Sequence, residues 1–177
     1  MATGDTDIRI CSDALLMLGA NPISSFTEGT DESNICDRLY PDIKIRALTM
    51  YDWSFSFKKT QLARLVTTPT NEYKYEYQLP SDIIGRPNAV YDTDDVGAPP
   101  RREYRLMGDK LLTDYEKVYI DYQYNVPEFA LPHYFVQLLK YEMAWHLALP
   151  ITDQADKAEY WRTIAEGTPG ENGRGGY

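Results

Sequence analysis

Tyr73-Lys74-Tyr75-Glu76-Tyr77-Gln78-Leu79-Pro80 alternates apolar and polar side chains at a period of two. In an extended chain that spacing sends Tyr73, Tyr75, Tyr77 and Leu79 to one side and Lys74, Glu76 and Gln78 to the other, which predicts a strand with one wet face. Pro80 has no N–H to give a ladder and ends it. The alternation returns at Tyr104 and Leu106 against Glu103 and Arg105, and at Val118, Ile120, Tyr122 and Tyr124 against Tyr119, Asp121 and Gln123. Gly108-Asp109 and Thr113-Asp114 offer turns between them, and the acidic, then Gly- and Pro-rich stretch Asp92 to Pro100 reads as an exposed loop. An antiparallel sheet or small sandwich over about 73–124 follows.

On both sides of this region the period changes to that of a helix. Ile8, Cys11, Leu15 and Leu18 recur at steps of three and four. Asp5, Thr6 or Asp7 can cap that helix, and Gly19 with Asn21-Pro22 ends it, giving a helix over 6–19. Cys36, Tyr40, Ile43, Ala47 and Met50 predict a second over 31–51, with Pro41 expected to kink it or split it in two. Beyond Pro127, Tyr134, Leu138, Tyr141 and Trp145 mark one face of a helix over 132–149. Phe135, Val136, Leu139, Met143 and Leu147 widen its apolar arc, so it belongs at the centre of a core. A last helix over 152–165, capped at Thr152 or Asp153, places Ala155, Ala158, Trp161 and Ala165 together. Residues 166–177 are Gly-rich and too poor in apolar groups to offset their ordering entropy, so they read as a flexible tail. The fold class is α+β: a helical bundle from the two ends of the chain with an inserted antiparallel sheet, in one domain over 1–165.

At 177 residues the chain can bury roughly 70% of the surface of its unfolded form, enough for a core without metal or disulfide. Its net charge of -9 works against counterion-release binding to nucleic acid. No run approaches the ~20 apolar residues of a membrane span, and Met1 to Ile8 lacks the order of a signal peptide, so the expectation is a soluble protein made in the cytoplasm. Fifteen tyrosines suit surfaces that are partly packed and partly wet, as interfaces are. Cys11 and Cys36 each fall on an apolar helix face and read as small hydrophobes.

No catalytic, cofactor-binding or metal-binding set emerges. Gly167 to Gly176 resembles a phosphate loop only in glycine content, and lacks the preceding strand, the following helix and the Lys. Ser56 and Lys59 match S-x-x-K by chance, since Lys59-Thr60-Gln61 and Ser81-Asp82-Ile83 are not its partner motifs. Glu142 and His146 are a polar spot on one helix, and Asp92, Asp94 and Asp95 lack the offsets of a calcium loop. A tyrosine-lined sheet also suits sugar stacking, which leaves a small carbohydrate-binding module as an alternative.

Three segments carry a resemblance: Ala14-Leu15-Leu16-Met17-Leu18-Gly19-Ala20-Asn21-Pro22-Ile23, Tyr51-Asp52-Trp53-Ser54-Phe55, and Tyr77-Gln78-Leu79-Pro80-Ser81-Asp82. In order and spacing they resemble the tail tubular protein A-like head-to-tail adaptors of short-tailed bacteriophages, over most of the chain. The resemblance implies a structural virion protein of the neck. It would form a homo-oligomeric, twelvefold ring between the portal protein and the tail nozzle or tail tube protein, with DNA passing through its lumen unbound and no membrane involved. It also implies that Trp53, Phe55 and Pro80 are structural anchors and that the tail grips the portal through Glu166, Gly170, Glu171, Arg174 and Tyr177. A connector or head-completion protein of a long-tailed phage is the neighbouring reading.

Overall fold

The structure, a computed structural model, describes residues 6–167. Four helices, α1 (Asp7–Leu18), α2 (Asp31–Thr49), α3 (His133–Thr152) and α4 (Ala155–Glu166), flank six strands in the chain order. The chain is α+β, as its periodicity implies, and it divides into two compact units. One comprises the chain up to Phe55 and from Val126 onward; the other is Ser56–Asn125.

In the helical unit the ends of α1 follow from its flanking residues. The Thr6 hydroxyl accepts from the Arg9 N–H, and Gly19, at φ 78°, lets its own N–H and that of Ala20 return to the carbonyls of Leu16 and Leu15. Thr30 caps α2 in the same way by accepting from Ser33. α3 is the core helix: Phe135, Val136, Leu138, Leu139, Met143, Ala144, Leu147 and Ala148 are all buried. Cys11 and Cys36 are buried free thiols, and burial with the neighbouring thiol pushes Cys11 up, so it packs as a neutral side chain.

Two boundaries differ from the sequence reading. α3 continues through Pro150 to Thr152, because Pro150 loses only one donor near a helix end. The Thr152 hydroxyl then bonds the Ala148 carbonyl at 2.6 Å, and Asp153 closes the helix at φ 53°. Accordingly α4 starts at Ala155 after Gln154, with neither Thr152 nor Asp153 as its cap. α2 is not split at Pro41; the buried stripe Cys36, Tyr40, Ile43 and Ala47 holds both halves in one helix.

The sheet unit holds β1 (Phe57–Gln61), β2 (Tyr75–Gln78), β3 (Ala89–Tyr91), β4 (Tyr104–Met107), β5 (Lys110–Thr113) and β6 (Tyr119–Gln123). They form two antiparallel three-stranded sheets, ordered β1-β6-β3 and β2-β5-β4. β4 and β5 join through Gly108-Asp109, where Gly108 at φ 61° occupies the first central position of a two-residue hairpin. The sheets share one core of Leu62, Tyr77, Leu79, Val90, Leu111, Val118, Ile120 and Tyr122. Pro80 follows β2 and accepts the Ile83 N–H in a turn. The insertion therefore begins near residue 57, earlier than the 73 expected, since Phe57-Lys58-Lys59-Thr60-Gln61 has no clean alternation. The wet face of β2 is also interrupted. Glu76 is buried, held by the Thr67 hydroxyl and by Lys110 at 3.2 Å.

Pro41 is exposed and has no N–H for the Asp37 carbonyl. Pro41→Ala is expected to raise stability by about 1 kcal/mol, a fraction of the ~3 kcal/mol that proline costs in a helix interior. Chemical denaturation checks it, and an unchanged or lowered midpoint means that the proline geometry itself is packed upon.

Candidate functional site

Two features of the helical unit bear on what it does. The first fixes where α4 ends. Glu142 on α3 is fully buried, and its Oε2 accepts from Arg46 Nη1 of α2 at 2.6 Å. Arg46 Nη2 donates to Glu166, the last residue of α4, so one guanidinium joins three helices. The Arg46 plane also lies 5.1 Å from the Trp145 ring centre, and Arg162 stands 5.7 Å from the same ring. Glu166 Oε2 lies 3.6 Å from Arg162 Nε. Glu166 thus belongs to α4 and to this partly buried network, and not to the tail expected from residue 166 onward. Gly167 caps α4 at φ 81° by donating to the Thr163 carbonyl. Gly170, Glu171, Arg174 and Tyr177 lie outside the described residues.

Burial raises the Glu142 carboxyl while Arg46 opposes it; burial, aided by Arg46, lowers the His146 imidazole. His146 Nε2 lies 3.9 Å from Glu142 Oε2, and both His146 Nε2 and Glu142 Oε1 are buried without a hydrogen bond among the described residues. This is the spot that sequence spacing had found, but Arg46, 96 residues away in the chain, was invisible to it. Elsewhere Lys44 bonds Glu128 at 2.7 Å, where burial raises the carboxyl but the ammonium outweighs it and holds it below the usual range. Lys140 meets Asp13 at 2.7 Å, and Lys157 donates to the Leu18 carbonyl at the end of α1.

The second feature is an aromatic patch. Trp53 donates its indole N–H to the Ala47 carbonyl at 2.9 Å and packs against Phe135 at 5.3 Å between ring centres. Phe55 meets Phe135 at 5.0 Å and Tyr134 at 6.0 Å. Trp53 and Phe55 are half-buried, while Tyr51 beside Trp53 and Tyr134 above both are largely exposed. The sequence-chosen anchors therefore converge on the start of α3, and Pro80 belongs to the other unit.

No protein-family model matches the chain, and no curated protein matches it in sequence.

Tyrosines of the sheet unit are all buried or partly buried. Tyr77 and Tyr122 are buried, Lys58 lies 4.2 Å from the Tyr124 ring, and Lys59 lies 4.4 Å from that of Tyr91. The exposed large aromatics among the described residues, Tyr51, Phe129, Tyr134 and Tyr160, all belong to the helical unit. Ser56 is buried and its Oγ accepts from Gln123, while Lys59 faces Tyr91, so the S-x-x-K pair shares no site. No group of three His, Cys, Asp or Glu among the described residues is placed to hold a metal, and no helix there is long and apolar enough to cross a membrane.

Arg46→Met leaves Glu142 buried without a counter-charge and is expected to cost about 3 kcal/mol, whereas Arg46→Met with Glu142→Met recovers most of the loss. Equal losses in urea denaturation for the single and double variants contradict the pairing. The pH dependence has a definite sign. His146, lowered when folded, contributes stability above its ordinary value of about 6.5, and that contribution is lost as pH falls through the folded value. Glu142, raised when folded, acts oppositely, regaining stability as pH falls toward about 4.3. Melting temperature is expected to drop on acidification below about pH 6.5 in the wild type and to drop less in His146→Gln; identical slopes show that His146 is not buried neutral.

Proposed function

We propose that this chain is a structural assembly protein: a ring-forming head-to-tail adaptor of a tailed phage that links the portal to the tail and lines the DNA exit channel without catalysing a reaction. The observation that carries the reading is the placement of its open aromatic surface. Tyr51, Tyr134, Phe129 and Tyr160 stand on the helical unit, where two ends of the chain meet, while the inserted sheets keep their tyrosines covered. Aromatic residues left open on a rigid scaffold are what protein contacts use. A sugar-stacking platform needs open rings on the sheet, so the same observation favours assembly over the carbohydrate-binding alternative. The segmental resemblance in the helix ends, in Trp53 and Phe55 and at Pro80 supports the phage assignment.

In this reading residues 168–177 contact the portal. A ring presents many such contacts, and each docked copy raises the effective concentration of its neighbours. The twelvefold count follows from matching the portal.

Deleting residues 168–177 is expected to leave circular dichroism and melting temperature unchanged while abolishing co-sedimentation with portal rings. Full co-sedimentation of the truncated chain puts the grip on the helical body instead.

A further inference from the structure

The negative charge is unevenly divided. Ser56–Asn125 carries ten basic and eleven acidic side chains, leaving eight basic and sixteen acidic for the rest of the chain. Within that near-neutral sheet unit a cleft of about 580 Å³ is lined by Arg86, Arg101, Arg102 and Arg105 together with Tyr104 and Pro100. Arg101 is fixed in place by Asp92 at 3.0 Å and by the Tyr115 ring at 5.8 Å. Arg105 reaches Glu72 only at 4.0 Å, with both side chains exposed, a contact of little energetic weight. Arg86 and Arg102 form no ion pair among the described residues. Glu103, next to Arg102 in the chain, accepts from the Tyr115 hydroxyl at 2.7 Å. Four guanidinium groups with two unpaired, on a protein of net charge -9, make a local anion site.

We infer that this cleft receives carboxylates of a second copy of the same chain, those on the solvent face of α2. That face carries exposed Asp31, Asp37 and Asp42 against a single base, Arg38, and the three acids form no ion pair among the described residues. A nucleic acid offers the same anionic chemistry, but the exposed, unpaired aspartates of α2 put a complementary local patch on every other copy of the chain. Cleft and helix face are different surfaces, and a head-to-tail repeat of their contact closes into a ring when its rotation permits. The inference deepens the assembly reading by naming the contact between copies, and rests on it for the identity of the partner.

Sedimentation velocity on the full chain without portal tests it. The wild type is expected to self-associate with increasing concentration and to dissociate as salt screens the contact. Arg86→Glu with Arg102→Glu, exposed positions whose loss leaves the melting temperature unchanged, is expected to weaken association about tenfold or more. Adding Asp37→Arg and Asp42→Arg to that variant reverses both sides and is expected to restore it. A wild type that stays monomeric at its highest soluble concentration overturns the inference, as does undiminished association of the Arg variant. Binding of a short DNA duplex that this variant abolishes while self-association persists also overturns it, making the cleft a phosphate site. Loss of portal co-sedimentation with self-association intact counts against the adaptor reading alone.

Discussion

A carboxylate without access to water sits on the most apolar helix of the protein, and Arg46 is what makes that placement tolerable. An unpaired charge at Glu142 would cost several kcal/mol or force protonation. Because the same guanidinium also holds Glu166, the axial positions of α2, α3 and α4 are tied through one group. The apolar side chains of α3 supply the cohesion of the unit, but hydrophobic contact is nearly non-directional and tolerates sliding. The ion network does not, since a turn of slippage leaves Glu142 alone. The position of the last turn of α4 is thus set by an ion network within the helical unit.

The sheet unit solves a different problem. Its core of eight residues is small, and it uses tyrosines both as packing bodies and, through their rings, as partners for lysine and arginine. Tyr77 shows how: its ring is buried while its hydroxyl donates to the Tyr115 carbonyl at 2.7 Å. The tyrosine rings are partly or fully buried in this way, and the unit also holds an Arg-lined cleft.

How much was legible beforehand depended on the range of the interaction. Helix ends at Thr6, Gly19 and Thr30 are local, decided within four residues, and they stand where capping chemistry puts them. The strands around Tyr77, Leu106 and Ile120 announced themselves by alternation. β3, three residues long, gave no period to detect. The division into two units, the burial of Glu76 and the partner of Glu142 depend on residues far apart in the chain, and pattern reading sees none of them. The arginine cleft left a trace, Arg101-Arg102-x-x-Arg105, which the net charge of the whole chain obscured.

Negative-stain imaging of the protein mixed with portal rings tests the proposal that copies of this chain assemble on a portal. A closed collar of added density on one face of the ring, with the rotational symmetry of the portal, is the predicted result; bare portal rings in the presence of excess folded protein would contradict it.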